Sequence, residues 1–317
     1  MTSPRCLVRG SINIDEFFHL PHIVRPGETI SSTRLTKKAG GKGANQAYAL
    51  ARAGGGVVLD GCIGDDGVWV RGMLEGVGVD VGRLRVVENE VTGRAIIQSA
   101  ADGENSIVLH AGANYHIPAS DTPPQLSGFT HLLLQNEIPL SSTLSYLTAA
   151  SSLGVISTFN PSPMLTPGQL RSFPWQSLSW LIVNEGELGD LLQAFEIPLS
   201  SSPDLRTKAE EELLALHKSK SFHPDVSIIC TLGAQGILYF QPGQAVGHLP
   251  AATLLHPLKD TTGAGDCFAG YFVAGLMRGL ELEQVLTTCL TACAMCVESA
   301  GAMESVPALD EVKQRMA

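Results

Sequence analysis

The chain has 317 residues, 44% of them apolar, and carries a formal net charge of −10. That length allows one large α/β domain or two smaller ones, with ample material for a core. The acidity, with no Lys/Arg cluster to offset it, excludes a nucleic-acid partner, which requires a basic face.

Met1 to Arg9 is too short and too polar for a secretory leader. No uninterrupted apolar run is long enough to span a bilayer. Seven scattered cysteines form no disulfide framework. A reduced, cytoplasmic protein without a membrane partner is the expectation. Along the chain, the first notable segment is Gly10-Ser11-Ile12-Asn13-Ile14-Asp15. Strand period places Asn13 and Asp15 on one face and Ile12 and Ile14 on the other. An amide beside a carboxylate can bracket vicinal hydroxyls, one donating and one accepting. The polar outer face of an edge strand would have the same pattern. No helix pattern is found from about Asn13 to Lys37. Ala39-Gly40-Gly41-Lys42-Gly43-Ala44-Asn45-Gln46-Ala47 then leads into a helical stripe of Ala44, Ala47, Tyr48 and Ala51. Gly40 and Gly41 permit tight turning, and Lys42 and Asn45 offer donors to hydroxyls. A glycine-rich loop with a solvated lysine is the plain alternative.

Val57–Ile63, His131–Leu134, Val155–Phe159, Trp180–Val183 and Val226–Cys230 read as short buried strands, each closed by Gly, Pro, Asn or Thr. Between about Thr92 and His110, Arg94–Ser99 and Ser106–Leu109 flank Asp102-Gly103, a hairpin signal. Together with residues 13–37 this predicts a small β-layer outside the main sheet, a lid. Ser200–Pro203 is a polar loop, followed by a helical stripe of Leu205, Ala209, Leu213 and Leu216. Strand–helix alternation predicts a mostly parallel central sheet flanked by helices, with ligands beyond the carboxyl ends of its strands.

Asp260-Thr261-Thr262-Gly263-Ala264-Gly265-Asp266 precedes a stretch that is apolar nearly all round up to Met277, hence a buried helix. Gly263-Ala264-Gly265 is expected to form its first turn. Free backbone N–H groups there carry partial positive charge and make an anion hole for a transferring phosphoryl group. A carboxylate at the mouth of such a hole, Asp266, is suited to take a proton from an attacking hydroxyl. Simple capping of the helix is the competing account. None of the glycine-rich segments matches GxxxxGK[ST], nor GxGxxG with an acidic residue about 20 positions on. Cys289, Cys293 and Cys296 share a helical face with Leu282, Val285, Leu286, Leu290 and Val297. Thiols in such a stripe act as small core residues; a metal cluster is the weaker reading, since no His joins them and the usual two CxxC pairs are absent.

Six segments occur in an order that resembles the ribokinase branch of the PfkB sugar-kinase family over nearly the whole chain. Besides Gly10–Asp15, Gly40–Ala47 and Asp260–Asp266, these are Gly64-Asp65-Asp66-Gly67, His110-Ala111-Gly112-Ala113-Asn114 and Asn184-Glu185-Gly186-Glu187. The resemblance implies a single ribokinase-like α/β domain over residues 1–317 that phosphorylates D-ribose with ATP at the 5-hydroxyl. It implies that Asn13, Asp15, Gly41, Lys42, Gly43, Ala44, Asn45 and Glu137 bind the sugar and that Asp266 is the base. It assigns Asn184, Thr231, Leu232, Gly233, Ala234, Gln235, Gly236 and Gly265 to the nucleotide, and Glu187 to Mg²⁺ through water. A potassium site would use Asp260, Thr262, Cys296, Ser299, Gly301 and Ser305, several through backbone carbonyls. Cys296 is a small departure that leaves its carbonyl intact. A homodimer through the lid is also implied. The rivals are a PfkB kinase for another sugar or a nucleoside and, more remotely, a non-catalytic sensor on the same fold.

Overall fold

The computed structural model describes residues 3–116 and 124–317. In chain order, the strands are β1 (Arg5–Arg9), β2 (Asn13–Leu20), β3 (Arg34–Gly40), β4 (Gly56–Asp60), β5 (Cys62–Ile63), β6 (Arg85–Val86) and β7 (Gly93–Ala100). They continue with β8 (Asn105–His110), β9 (His131–Leu134), β10 (Ile156–Phe159), β11 (Trp180–Asn184), β12 (Ser227–Thr231), β13 (Ile237–Phe240) and β14 (Gly247–Leu249). The helices are α1 (Lys42–Arg52), α2 (Val68–Gly76), α3 (Leu140–Ser152), α4 (Pro167–Ser172), α5 (Glu185–Ala194), α6 (Leu205–Lys218), α7 (Ala264–Met277), α8 (Leu282–Val297) and α9 (Leu309–Met316).

The main sheet has eight strands in the order β14-β13-β12-β11-β10-β9-β1-β4. It is parallel from β12 to β4 and ends in an antiparallel edge of β13 and β14. Its strands are buried on both faces, which is why they read as continuous apolar runs. Alternate residues feed two cores. Val8, Leu133, Ile182 and Ile229 pack beneath α1, α7 and α8. Leu7, Leu132, Leu181 and Ile228 pack beneath the helices of the opposite face.

The strands differ from the expected ones in three places. The expected run Val57–Ile63 is broken at Gly61 into β4 and β5, and β5 leaves the main sheet to pair with β6. A side chain at Gly61 would meet Ile12 and the Gly10 carbonyl, so the chain turns there. β1 gave no strand signal because Arg5 and Arg9 bracket its three apolar residues. Arg9 is nonetheless buried, paired with Asp60 at 3.4 Å. The β13–β14 edge gave none either, being antiparallel and outside the strand–helix alternation.

A separate four-stranded sheet has the order β3-β2-β7-β8. β3 runs to Gly40, past Lys37. The β7–β8 hairpin turns at Asp102-Gly103, where Gly103 takes φ +92°. Cys289 and Cys296 lie in the core with Cys267 of α7, as small apolar packing units.

In the main sheet β1 lies between β9 and β4, so the chain order reverses at β1. A crevice opens at such a reversal, beyond the carboxyl ends of the strands. Gly10 follows β1, Gln135 follows β9, Asn160 follows β10, and Asn184 and Thr231 end β11 and β12 side by side.

Candidate active site

One cleft at these strand ends is lined by Lys42, Asn160, Ser162, Ile182, Val183, Asn184, Glu187, Thr231, Gly263, Gly265 and Asp266. It brings together residues assigned from sequence to the sugar, to the nucleotide and to the base.

α7 begins at Ala264, with Gly263 as its N-cap at φ +79°, the left-handed region that favours glycine. Gly263 therefore stands just before the first turn instead of within it. A Cβ there would fall 2.7 Å from the Ala302 Cα, so the position is closed to side chains in two ways. The Ala264 N–H reaches the Thr261 carbonyl at 3.3 Å, closing the turn. The Gly263 and Gly265 amides have no protein acceptor among the described residues. They remain free for an anion, with the helix dipole behind them.

Asp266, in the first turn of α7, is only 7% exposed, yet its carboxylate borders the cleft. Asn45 Nδ2 donates to Oδ2 and Gln46 Nε2 to Oδ1, each at 2.9 Å. Both donors come from α1. Gly270, one turn along α7, lets the helices cross closely: a Cβ there would lie 2.6 Å from the Ala49 Cβ and 2.7 Å from the Gln46 carbonyl. Asn45 Oδ1 is buried and has no partner among the described residues, so it can accept from a ligand.

Asn13 opens β2. Asn114 holds Ile12 through a pair of bonds, 2.8 and 3.1 Å, and donates to Asn13 Oδ1 at 2.8 Å. With its oxygen occupied, Asn13 presents its NH₂ as a donor. Asp15, two residues on, has no side-chain partner among the described residues. Burial pushes its carboxyl up to about 7, aided by the charges of Glu137, Asp266 and Glu304 and opposed by Lys38. One donor and one acceptor thus stand on the same face of the strand.

Gly41 takes φ +89° as N-cap of α1, and a Cβ there would lie 2.7 Å from the Asn13 N. Glu137 Oε2 accepts from Ser11 Oγ at 2.6 Å and from the Lys42 N–H at 2.9 Å, which ties β1, β9 and α1 together around the crevice. Burial lowers the Lys42 ammonium, but Asp266, Glu137 and Glu187 outweigh it and the net shift is upward; Lys42 is a firm cation. Gly43 packs against Gly10, and the Ala44 N–H donates to the Ser11 carbonyl at 2.9 Å. The side of α1 carrying Ala44 belongs to the core, so neither residue presents a free group to the cleft.

Asn184 and Glu187 form a reciprocal cap at the start of α5: Asn184 Oδ1 accepts from the Glu187 N–H at 2.8 Å, and Glu187 Oε2 from the Asn184 N–H at 2.9 Å. The second oxygen of Glu187 stays available at the cleft. Leu232 is buried in the core, while Gly233, Ala234 and Gln235 make an exposed turn ended by Gly236 at φ +90°. Only Thr231 of this run borders the cleft itself.

The stretch 259–263 lies against 296–305. Asp260 Oδ1 accepts from the Thr262 N–H at 2.9 Å and Oδ2 from the Gly301 N–H at 3.0 Å. Burial would raise the Asp260 carboxyl, but these bonds with Thr262 and Gly301 and the nearby Lys38 hold it lowered and ionised. The carbonyls of Thr262, Ser299 and Gly301 accept no hydrogen bond from the described residues. The Cys296 thiol pairs with Ser305 Oγ at 2.9 Å, and its carbonyl accepts from the Ser299 N–H at 3.0 Å. Free carbonyl oxygens around a fixed carboxylate suit a monovalent cation. The free Glu187 oxygen suits a magnesium ion held through water.

Ser11, Gln46, Asn114, Gln135 and Asn160 support the site and had no role assigned from sequence. Ser11, Gln46 and Asn114 lie within quoted motifs, which was a signal; Gln135 and Asn160 had only their place just after predicted strands.

An anion hole and a buried carboxylate in one α/β crevice, with a donor and an acceptor side by side on β2, suit a phosphotransferase acting on a small polyol. The profile described as "pfkB family carbohydrate kinase" matches residues 3–309. A ribokinase of Haemophilus influenzae is 32% identical over 96% of this chain and 95% of its own, and one of Schizosaccharomyces pombe is 33% identical over 96% of each. The crystal structure of a Cryptococcus neoformans ribokinase in complex with ADP superposes with a TM-score of 0.94 at 67% identity, covering 99% of this chain and 100% of that one. An Arabidopsis thaliana ribokinase complexed with ribose and ATP gives 0.86 at 29% identity, over 99% and 98%. The chain belongs to the pfkB family of carbohydrate kinases, and it is an enzyme of the kinase class.

Proposed function

We propose that the protein phosphorylates D-ribose at its 5-hydroxyl with ATP, giving ribose 5-phosphate and ADP, and that residues 1–317 work as one kinase domain. The observation that carries this reading is the position of Asp266. Its carboxylate borders the cleft between the Asn45 amide and the free Gly263 and Gly265 N–H groups. That ribose and ATP occupy the Arabidopsis relative, and ADP the Cryptococcus one, supports the choice of substrates.

Asn13 donates to one ribose hydroxyl and Asp15 accepts from its neighbour, while Lys42, Asn45 and Glu137 hold the ring. Gly41 and the backbone around Gly43 and Ala44 shape the floor. The sugar's 5-oxygen attacks the γ-phosphorus. A new O–P bond forms, the bond to ADP breaks, and the hydroxyl proton passes to Asp266. The Gly263–Gly265 turn stabilises charge on the transferring group. The nucleotide lies along Asn184, Thr231 and the Leu232–Gly236 turn, with Gly265 beneath its phosphates. Glu187 would hold Mg²⁺ through water, and Asp260, Thr262, Cys296, Ser299, Gly301 and Ser305 would hold potassium. Bound there, the two ions would supply positive charge that offsets the phosphates.

The small sheet serves as a lid of residues 13–37 and 92–110 that excludes water and limits idle ATP hydrolysis. Among the described residues its outer strand β8 pairs only with β7, so that edge and its apolar side chains suit a second copy of the chain. The expected state is a cytoplasmic homodimer.

The test is ATP-dependent phosphorylation across a panel of pentoses, hexoses and nucleosides, with the phosphate position assigned by ³¹P and ¹H NMR. Ribose 5-phosphate as the preferred product is expected. Preference for a hexose or a nucleoside would assign the site to another member of the family.

A further inference from the structure

Behind the proposed base lies a chain of buried amides. Gln46 and Gln135 are both fully buried. Gln46 Nε2 donates to Asp266 Oδ1 at 2.9 Å and reaches Asn160 Oδ1 at 3.4 Å. Gln46 Oε1 accepts from Gln135 Nε2 at 2.7 Å. Asn160 is itself oriented, since its Nδ2 donates to the Ile182 carbonyl at 3.0 Å. Gln135 Oε1 faces the backbone of Gly10, where any side chain would clash, and has no donor among the described residues. Reversing the Gln135 amide would set its oxygen against Gln46 Oε1, two acceptors at hydrogen-bond distance, so the direction of the chain is fixed.

We infer that Gln135 and Gln46 form a positioning relay that orients the carboxylate of Asp266, with Gln135 acting on the base only through Gln46. As a carboxylate Asp266 can only accept, which already asks Gln46 for an N–H, and two further contacts hold the amide in that orientation. Gln135 donates to its oxygen from one side, and Asn160 offers an acceptor to its nitrogen from the other. The Gln46 NH₂ is thereby committed to Oδ1 while Asn45 commits its own to Oδ2, which fixes the plane of the carboxylate relative to the cleft. Neutral amides do this without adding a charge beside the base. The charged groups that already bear on Asp266, namely Lys42 and Asp15, keep their balance. The inference rests on Asp266 being the base of the proposed reaction, and it adds two residues that touch neither sugar nor nucleotide.

The test is a double-variant cycle in steady-state kinetics, with ribose binding followed by calorimetry. Gln135→Met should lower kcat about tenfold and Gln46→Met about a hundredfold, the range expected when a reacting group is misplaced by a fraction of its contact distance. The ribose KM and dissociation constant should be unchanged in both. Gln46→Met/Gln135→Met should be no slower than Gln46→Met alone, because the distal residue then has nothing to orient. A wild-type kcat in Gln135→Met, or a loss that multiplies with that of Gln46→Met, overturns the relay. If Gln135→Met does not fold, a wild-type kcat in Gln135→Leu, which likewise cannot donate to Gln46, overturns it equally. Absence of wild-type turnover on ribose would sink the assigned reaction instead, and the cycle would then be run on whichever sugar the wild-type protein accepts.

Discussion

The base role proposed for Asp266 is one that its amide form could not take over. Asp266→Asn keeps the size of the side chain and its place in the first turn of α7, so calorimetric ribose binding should persist. Turnover in a coupled ADP-release assay should fall by about 10²–10⁴-fold, the range of general-base assistance. Substantial turnover would assign the proton to another acceptor. Asp15 is the other carboxylate whose charge state has a measurable consequence. Its carboxyl is pushed up to about 7, chiefly by burial. Below that pH it is protonated and would lose the all-acceptor role proposed for it towards the sugar hydroxyls. The ribose KM should therefore fall about tenfold between pH 6 and 8, and Asp15→Asn should flatten the dependence. A pH-independent KM would remove Asp15 from the sugar site. The same shift acts oppositely on stability. The folded protein holds a proton that the unfolded chain releases near 3.8, so ribose-free stability declines as pH rises from there through about 7.

Among the elements, the crossing of α1 and α7 carries the site. Gly270 leaves no space between them, and the two amides that hold Asp266 sit one turn away along α1. Gly270→Ala should prise the helices apart, costing about 1–3 kcal/mol in denaturant unfolding from overpacking. It should also lower kcat more than it raises the ribose KM. Unchanged stability and kcat would mean the helices slide freely at that point. The start of α7 is likewise tied to the segment after α8, through the bonds of Asp260 to the Thr262 and Gly301 amides. Potassium at fixed ionic strength should raise kcat relative to a large organic cation. Equal rates would leave the free carbonyls of Thr262, Ser299 and Gly301 without a cation.

For the whole molecule, the open question is what covers the small sheet. By register, Leu109 lies opposite Ala95, and Ala95 opposite Asp15, so Ile107 and Leu109 share the face of Asp15, while Val108 faces the other way. Ile107 is 54% exposed and Leu109 56% exposed, large apolar groups held beside the proposed sugar site. A second copy clasping this face would cover them. Sedimentation velocity at micromolar concentration should give a dimer, and Ile107→Glu/Leu109→Lys a monomer with a raised ribose KM. A wild-type monomer would sink the clasp.

The sequence by itself determined the layered fold, most of its buried parallel strands and the stretch that starts α7. Buried parallel strands must be apolar throughout, and a helix buried on all sides must be too, so these patterns leave few readings. It also carried Asn13 and Asp15 together, because strand period is strict. What only the tertiary structure decided was which helices cross and how closely. Nothing near Gln135 or Asn160 in sequence marks them as neighbours of Asp266; the parallel order of β1, β9 and β10 puts them there. The break at Gly61, the burial of Arg9 and the direction of the Gln135–Gln46 amides have the same origin. Each depends on contacts between residues distant along the chain, and local spacing holds no record of those distances.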